Sequence, residues 1–209
     1  MTPQQRDELA RRVAADLPGG AYVNLGIGLP TRVADFVRPG AEIVFHSENG
    51  LLGVGPAPAP DEADPELINA GKELVTLVPG AAIFDHATAF VMIRGGHIDI
   101  AVMGAYEVSA AGDLANWSTG DRGAPAVGGA MDLAAGAKAV WIMMEHRTKD
   151  GAPRLVANCS LPLTGARVLT LVYTELAVLD IDNGFVLREL CGGCDVETLR
   201  ARTAAPVRP

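Results

Sequence analysis

Glu48 is the residue whose surroundings in the sequence best suit covalent chemistry. It follows a predicted strand, Glu42 to His46, and so lies at the carboxyl end of that strand, where open α/β sheets bind their ligands. The residues after it supply apolar surface and room for a substrate: Gly50, Leu51, Leu52, Gly53, Val54 and Gly55. A carboxylate that loses its hydration there can attack an acyl carbon and form a covalent acyl intermediate. The alternative interpretation of a glutamate before Asn-Gly is a solvated turn residue.

Two glycine loops offer backbone groups for chemistry. Gly26-Ile27-Gly28 follows a predicted strand at Tyr22 to Leu25, and Gly128-Gly129 opens a predicted helix that ends at Ala137. Free backbone N–H groups at the start of a helix can point at a carbonyl oxygen or a phosphate. Each loop is also explained by a tight turn that needs the conformational freedom of glycine. The first loop does not match a dinucleotide fingerprint, because Thr31 occupies the place of the third glycine.

Several other kinds of site are excluded by spacing. Lys72 follows Gly71, but Glu73 replaces the Ser or Thr of a Walker A loop. The four histidines show no HxH or HExxH spacing and no serine lies in G-x-S-x-G, which argues against a metal cage and a serine hydrolase. Cys191 and Cys194 have CxxC spacing without a second pair or a nearby histidine, so we interpret them as ordinary cysteines in a glycine turn.

Stretches with helical periodicity alternate along the chain with stretches that have strand periodicity, and these elements must position the residues above. This predicts a single α/β domain over residues 1–209, built on a largely parallel sheet. A length of 209 residues with 49% hydrophobic and 20% charged side chains provides a sizeable core and excludes a disordered or coiled-coil chain. Helices are predicted at 3–17 and 196–203, and another is opened by Pro30. Further strands are predicted at 98–103, 139–144, 168–173 and 176–181. The segment from Glu48 to Pro60 is predicted to be a loop.

The charge and the termini limit the partners and the compartment. Seventeen basic residues against 25 acidic ones give a net charge of −8, which repels the phosphates of nucleic acid. No apolar stretch approaches the roughly 18 residues that a membrane span needs. The first residues lack the layout of a signal peptide, and three cysteines argue against a disulfide framework. We therefore expect a cytoplasmic protein that binds no nucleic acid, membrane or metal.

Several blocks of the sequence, in order, resemble the B subunits of the 3-oxoacid CoA-transferases. The two most extensive are NLGIGLPT at 24–31 and SENGLLGVGP at 47–56. The others are NAGK at 69–72, RGGHID at 94–99, GDLANW at 112–117, GGAMDL at 128–133 and LPLTG at 161–165. Each block alone is a weak signal, whereas their combination, over about residues 8 to 205, is specific to the family.

This resemblance implies a fold and a reaction. The fold is a three-layer α/β arrangement around an open, largely parallel sheet, of the type shared with ribose-5-phosphate isomerases. Glu48 falls on the nucleophile of the family, which forms a mixed anhydride with the acyl group and then a glutamyl-CoA thioester in a ping-pong exchange. The implied substrates are succinyl-CoA and a 3-oxoacid, either 3-oxoadipate or acetoacetate. Coenzyme A is then a substrate, and no permanently bound cofactor is expected.

The resemblance also suggests roles for other residues. Asn24 and the backbone N–H groups of Gly129 and Ala130 are expected to stabilise oxyanions. Lys72 is expected to meet the CoA phosphate or a substrate carboxylate, or else to be a plain surface lysine. Residues expected to shape the surrounding loops are Asn49, Gly50, Gly26 and Gly28.

A partner chain and a class of substrate follow from the same comparison. The family pairs the B subunit with an A subunit that carries a Gly-x-Gly-Gly-Phe loop, and these 209 residues contain no such segment. We therefore expect a heterodimer or heterotetramer with an A subunit. Residues 126–130, AVGGA, differ from the Gly-Met-Gly-Gly-Ala of acetoacetate enzymes and favour a dicarboxylic oxoacid such as 3-oxoadipate. Two alternatives stay open: a sugar-phosphate isomerase with Glu48 as general base, and a non-catalytic ligand sensor of the same fold.

Overall fold

The computed structural model describes residues 1–120 and 127–209. The strands are β1 Tyr22–Leu25, β2 Val44–Ser47, β3 Leu51–Val54, β4 Leu77–Ile83, β5 Ile100–Met103, β6 Glu107–Ser109, β7 Leu114–Ala115, β8 Ala139–Met143, β9 Leu155–Val156, β10 Leu169–Tyr173, β11 Ala177–Ile181, β12 Phe185–Leu190 and β13 Val207–Arg208. The helices are α1 Pro3–Asp16, α2 His86–Arg94, α3 Ala130–Gly136 and α4 Val196–Arg202. A 3-10 helix, Leu29–Phe36, lies between β1 and β2.

A large sheet organises the described part of the chain. It contains ten strands in the order β13-β12-β11-β10-β8-β5-β1-β2-β3-β4 within the described ranges. The central strands β10, β8, β5, β1 and β2 are parallel, and antiparallel strands extend the sheet on both sides. All four residues of β5 are buried, as expected for a parallel strand that is covered on both faces. The predicted α/β class with a largely parallel core is confirmed.

The two faces of the sheet pack against different helices. Ile100 and Val102 of β5 belong to one hydrophobic cluster with residues of α1 and the 3-10 helix. Ala101 and Met103 of the same strand belong to the other cluster, with residues of α2, α3 and α4. Successive side chains of a strand point to opposite faces, so these clusters are two separate core layers. The predicted three-layer arrangement is confirmed.

The prediction of a loop after Glu48 is wrong for residues 51–54. Leu51–Val54 form β3, which pairs antiparallel with β2 and β4. The high glycine content makes this strand hard to recognise in the sequence, because glycine weakens strand periodicity. Gly53 has φ 83°, and a Cβ built on it would lie 3.0 Å from the Cβ of Ala81. Pairing of β3 with β4 shifts register at this glycine, so the strand bulges there and continues.

Other differences from the predictions are local. Helix α2 was not predicted from the sequence. Asp85 caps this helix in the usual way, because its side chain accepts a hydrogen bond from the N–H of Thr88 at 2.9 Å. The helix opened by Pro30 is a 3-10 helix, and β2 begins at Val44 because Glu42 has a φ of 53°. Among the described residues, no helix is long and apolar enough to cross a membrane.

Candidate active site

Glu48 lies in the tight turn of the hairpin that joins β2 to β3. The N–H of Gly50 donates to the carbonyl of Ser47 at 3.0 Å, and the carbonyl of Gly50 accepts from the N–H of Phe84 at 2.9 Å. Gly50 has φ 117°, and a Cβ there would overlap the carbonyl oxygen of Phe84. Only glycine fits this position without strain, so Gly50 determines where the turn presents Glu48.

A neighbouring loop braces the turn from the other side. The side-chain amide of Asn49 donates to the carbonyl of Ile68 at 2.7 Å. The Oγ of Ser47 accepts a hydrogen bond from the N–H of Ala70 at 2.9 Å. Both residues that flank Glu48 are therefore tied to the segment that contains NAGK, which limits the motion of the carboxylate.

Asn24 and His46 lie beneath this turn as direct neighbours on β1 and β2. Asn24 is 1% exposed, and its Nδ2 lies 3.0 Å from Nδ1 of His46 and donates to the His46 carbonyl at 3.3 Å. Burial lowers the pKa of His46 to about 4, so the imidazole is neutral at pH 7 and can accept at Nδ1. Oδ1 of Asn24 and Nε2 of His46 have no hydrogen-bond partner among the described residues.

The electrostatic setting of Glu48 suits a nucleophile. Burial raises the pKa of Glu48 above its ordinary value, while the charge of His86 and an interaction with the Asn24 side chain act in the opposite direction. A carboxylate in this position has lost part of its hydration and is correspondingly more basic. This is the desolvation that the apolar and glycine residues after Glu48 indicate in the sequence.

The second glycine loop approaches Glu48 closely. Gly129 caps α3, and a Cβ built on it would lie 3.3 Å from Oε1 of Glu48 and 2.8 Å from Cζ of Phe90. The backbone of Gly129 can reach the carboxylate because the residue has no side chain. The first amides of α3, beginning at Ala130, have no partner within the helix and remain available to an oxygen of a bound substrate. Ala126, the first residue of the AVGGA segment, lies outside the described residues.

The first glycine loop lies across the ends of the central strands. The N–H of Gly26 donates to the carbonyl of Val102 at 2.8 Å, and a Cβ on Gly26 would lie 3.1 Å from that oxygen. Gly28 has φ 92° and directly precedes the 3-10 helix as its N-cap. The two glycines therefore shape the loop that carries Ile27, which is 63% exposed.

Glu48, Gly128 and Gly129 lie on the boundary between two cavities. The first, of about 400 Å³, is bounded by the Gly26-Ile27 loop, the end of β5 and the following residues through Tyr106, with Asn116 on the far wall. The second, of about 670 Å³, is bounded by α2. A carboxylate in this position can contact two parts of a substrate that enter from different sides, which a group-transfer reaction requires.

The structure does not bring every candidate to this site. Lys72 is exposed and lines neither cavity that contains Glu48. Asp99 accepts from the N–H of Tyr22 at 2.8 Å and forms an ion pair with Lys138 at 2.7 Å, so its carboxylate has structural partners. Among residues 1–120 and 127–209, no group of three or more His, Cys, Asp or Glu side chains is arranged to hold a metal ion.

The side chains of α2 that line the second cavity were not predicted from the sequence. His86, Phe90 and Arg94 contribute to it, and the sequence alone assigns a role to none of the three. A signal was present, because Asp85 and Thr88 have the spacing of a helix start and the three cavity residues recur every four positions. Their proximity to Glu48 depends on the contact between distant segments and is not visible in local periodicity.

Comparisons with known proteins identify the family of this chain. A family model described as Coenzyme A transferase matches residues 6–196. The B subunit of the 3-oxoadipate CoA-transferase of Pseudomonas putida is 55% identical over 97% of this chain and 95% of that protein. The B subunit of the succinyl-CoA:3-ketoacid coenzyme A transferase of Helicobacter pylori is 50% identical over 96% of this chain and 97% of that protein.

A solved structure supports the fold independently. An acyl-CoA transferase apoenzyme from Escherichia coli O157:H7 is similar with a TM-score of 0.77 at 19% identity. The match covers 100% of this chain and 43% of that one, so this chain spans less than half of that polypeptide. The resemblance inferred from the sequence blocks is confirmed, and the isomerase and ligand-sensor alternatives are not favoured. By fold and by sequence over nearly its full length, the chain belongs to the coenzyme A transferase family.

Proposed function

We propose that this chain is the B subunit of a CoA-transferase that moves CoA from succinyl-CoA to a 3-oxoacid, with Glu48 as the covalent nucleophile. The observation that carries the proposal is the position of Glu48, a partly desolvated carboxylate held on a braced turn between two cavities. The names of the relatives support the same substrates, since they include transferases for 3-oxoadipate and for 3-ketoacids.

The proposed reaction is a sequence of acyl exchanges at Glu48. Its carboxylate attacks the thioester carbonyl of succinyl-CoA, and the CoA thiolate leaves to give a mixed anhydride. The thiolate then attacks the glutamyl carbonyl, which releases succinate and forms a glutamyl-CoA thioester. The carboxylate of the 3-oxoacid attacks that thioester and expels the thiolate, which attacks the new acyl carbonyl. The product is 3-oxoacyl-CoA, and the Glu48 carboxylate is regenerated.

Each attack places negative charge on an oxygen, and three groups near Glu48 are suited to receive it. The Asn24 amide interacts with Glu48 from below, and His46 fixes its orientation through the 3.0 Å contact between Nδ1 and Nδ2. The second N–H of Nδ2 makes only a long bond of 3.3 Å to the His46 carbonyl and can turn to an oxyanion. Gly129 lies against Oε1 of Glu48, and Ala130, at the start of α3, lines the same cavity. Removal of one such donor typically costs about 10²-fold or more in rate. We assign these three groups to oxyanion stabilisation.

We assign the A subunit to the open side of this site. Both cavities face outward, and the apolar side chains beside them are exposed, including Ile27 at 63% and Val91 at 66%. Apolar side chains at the rim of a reactive site are typical of a surface that a partner covers. A covering subunit would exclude water from the glutamyl thioester and prevent its hydrolysis.

Mapping of the covalent intermediate tests the proposal. The chain is co-expressed with its A subunit, incubated with succinyl-CoA without an acceptor, and digested for peptide mass analysis. We expect a CoA adduct on Glu48 in the wild type and in Glu62→Gln, a control on an exposed loop, and no adduct in Glu48→Gln. Glu48→Asp is expected to lose nearly all turnover, since the shorter side chain withdraws the nucleophile by about an ångström. An adduct on any other residue would falsify the assignment.

A further inference from the structure

Helix α2 presents a row of three side chains to the second cavity. His86, Phe90 and Arg94 are four residues apart in succession and so lie on one face of the helix. All three line the cavity of about 670 Å³ that also contains Glu48. The row extends over the whole length of α2, which gives the cavity two nitrogen-bearing side chains at its ends and an aromatic ring between them.

Contacts hold this row against the reactive turn. The ring centroids of His86 and Phe90 are 4.7 Å apart, and the guanidinium of Arg94 lies 5.5 Å from the centroid of Phe90. The edge of Phe90 approaches Gly129, which in turn approaches Oε1 of Glu48. Phe90 therefore contacts the glycine that lies against Glu48, and His86 and Arg94 are each about 6 Å along the helix axis from the level of Phe90.

The charges in this cavity differ from those of the molecule as a whole. The chain carries a net charge of −8, whereas the ionisable side chains that line this cavity among residues 1–120 and 127–209 are Glu48, His86 and Arg94, of which Arg94 is ion-paired with Asp132. Asp132 accepts from Nε of Arg94 at 2.6 Å, which orients the guanidinium, and within the described part of the chain the Nη groups have no other acceptor. Glu48 and His86 line the same cavity, and the charge of His86 lowers the pKa of Glu48, against the effect of burial.

We propose that His86 and Arg94 bind the free carboxylate at the far end of a dicarboxylic acyl group whose other end reacts with Glu48. The inference rests on the proposed function. Succinyl and 3-oxoadipyl groups both carry such a carboxylate, and a ping-pong exchange places each of them on Glu48 in turn. Without a cation, the second carboxylate would enter beside Glu48 with unfavourable repulsion. Phe90 then contacts the carbon chain between the two ends, and the other cavity remains for the CoA arm.

Discharge of the thioester by two acids tests this site directly. The complex with the A subunit is loaded with succinyl-CoA, freed of excess, and mixed with 3-oxoadipate or with acetoacetate, which lacks a second carboxylate. The variants are His86→Gln and Arg94→Gln, with His97→Gln and Arg38→Gln as controls that remove an exposed residue of the same type elsewhere. Loading with acetoacetyl-CoA keeps this readout available if a variant accepts succinyl-CoA poorly.

The expected result is selective for the dicarboxylic acid. His86→Gln and Arg94→Gln should raise the concentration of 3-oxoadipate needed for half-maximal discharge by about 10- to 100-fold, as for loss of a hydrogen bond to a charged group. Discharge by acetoacetate should change by less than about threefold, and the two control variants should behave as the wild type does. Calorimetry of adipate with the unloaded complex should show the same loss of binding without any reaction.

Two outcomes would overturn the inference, and they are distinguishable. If the variants lose discharge by both acids equally while thioester loading persists, the cavity does not bind the far carboxylate, and the proposed function stands. If the wild-type complex forms no thioester on Glu48 with either acyl-CoA, the proposed function fails and this site fails with it.

Discussion

Two buried histidines at the same edge of the sheet have opposite hydrogen-bonding states. His46 lies in β2, one residue before the end of the strand, and is 2% exposed, while His146 follows β8 and is 0% exposed. Both ring nitrogens of His146 are paired, with the hydroxyls of Thr174 at 3.0 Å and Thr203 at 2.9 Å. Nδ1 of His46 contacts the Asn24 amide, and its Nε2 has no partner among the described residues.

The difference separates a structural histidine from one that belongs to a site. Buried polar atoms are normally paired, and His146 joins the ends of β8, β10 and α4 in a complete network. Among the described residues, the pairing of Asn24 and His46 is incomplete, which costs stability and occurs directly beneath Glu48, the proposed nucleophile. We infer that the first region is arranged for stability and the second for the orientation of Asn24 toward Glu48.

The largest difference expected between the two regions is in the rate of thioester formation. Asn24→Ala should lower the rate of thioester formation by about 10²- to 10³-fold, because it removes a donor to the developing oxyanion. Thr203→Val, which removes one partner of His146, should leave that rate unchanged in the folded enzyme. Rapid-quench measurement of adduct formation with succinyl-CoA compares the two variants. Equal rate losses in both would contradict the assignment of the two regions.

Replacement of the histidines should produce the reverse pattern in stability. His146→Ala removes a fully paired core side chain, leaves two hydroxyls without their partner, and should lower the free energy of unfolding by about 2–4 kcal/mol. His46→Ala should cost less stability, because one of its ring nitrogens has no partner to lose, but it should slow the reaction through Asn24. Urea unfolding and turnover of each variant measure the two quantities. A larger loss of stability in His46→Ala would break the comparison.

The smallest expected effect is on the pH dependence of stability, where the two histidines should behave alike. Burial lowers both pKa values from 6.5 to about 4, so the unfolded chain binds protons in this range that the folded chain does not. The contribution of each histidine to the free energy of unfolding is therefore fully present above pH 6.5. It falls by about 1 kcal/mol per pH unit as the pH drops toward 4. Unfolding of His46→Gln and His146→Gln between about pH 7 and pH 5 should show a shallower slope than that of the wild type. An unchanged slope would contradict the burial of the neutral imidazoles.

Local chemistry explains which elements were predictable. The central strands can be recognised in the sequence from their apolar runs, because a parallel strand covered on both faces needs apolar side chains at every position. The same reasoning failed for β3, because Gly53 has no side chain and the strand bulges there. It also failed for α2, because five of its nine residues are exposed: His86, Ala87, Thr88, Val91 and Arg94. A short helix with a mixed surface carries too weak a period to be recognised from the sequence alone.

The sequence by itself determined the family, the central sheet and the candidate nucleophile. The SENG turn and the two glycine loops are local features whose backbone requirements are encoded residue by residue. Tertiary structure alone decided that Gly129 meets Glu48, that Asn24 pairs with His46, and that α2 lines a cavity with His86 and Arg94. These contacts join segments tens of residues apart, and their energies come from packing and desolvation, which have no period along the chain.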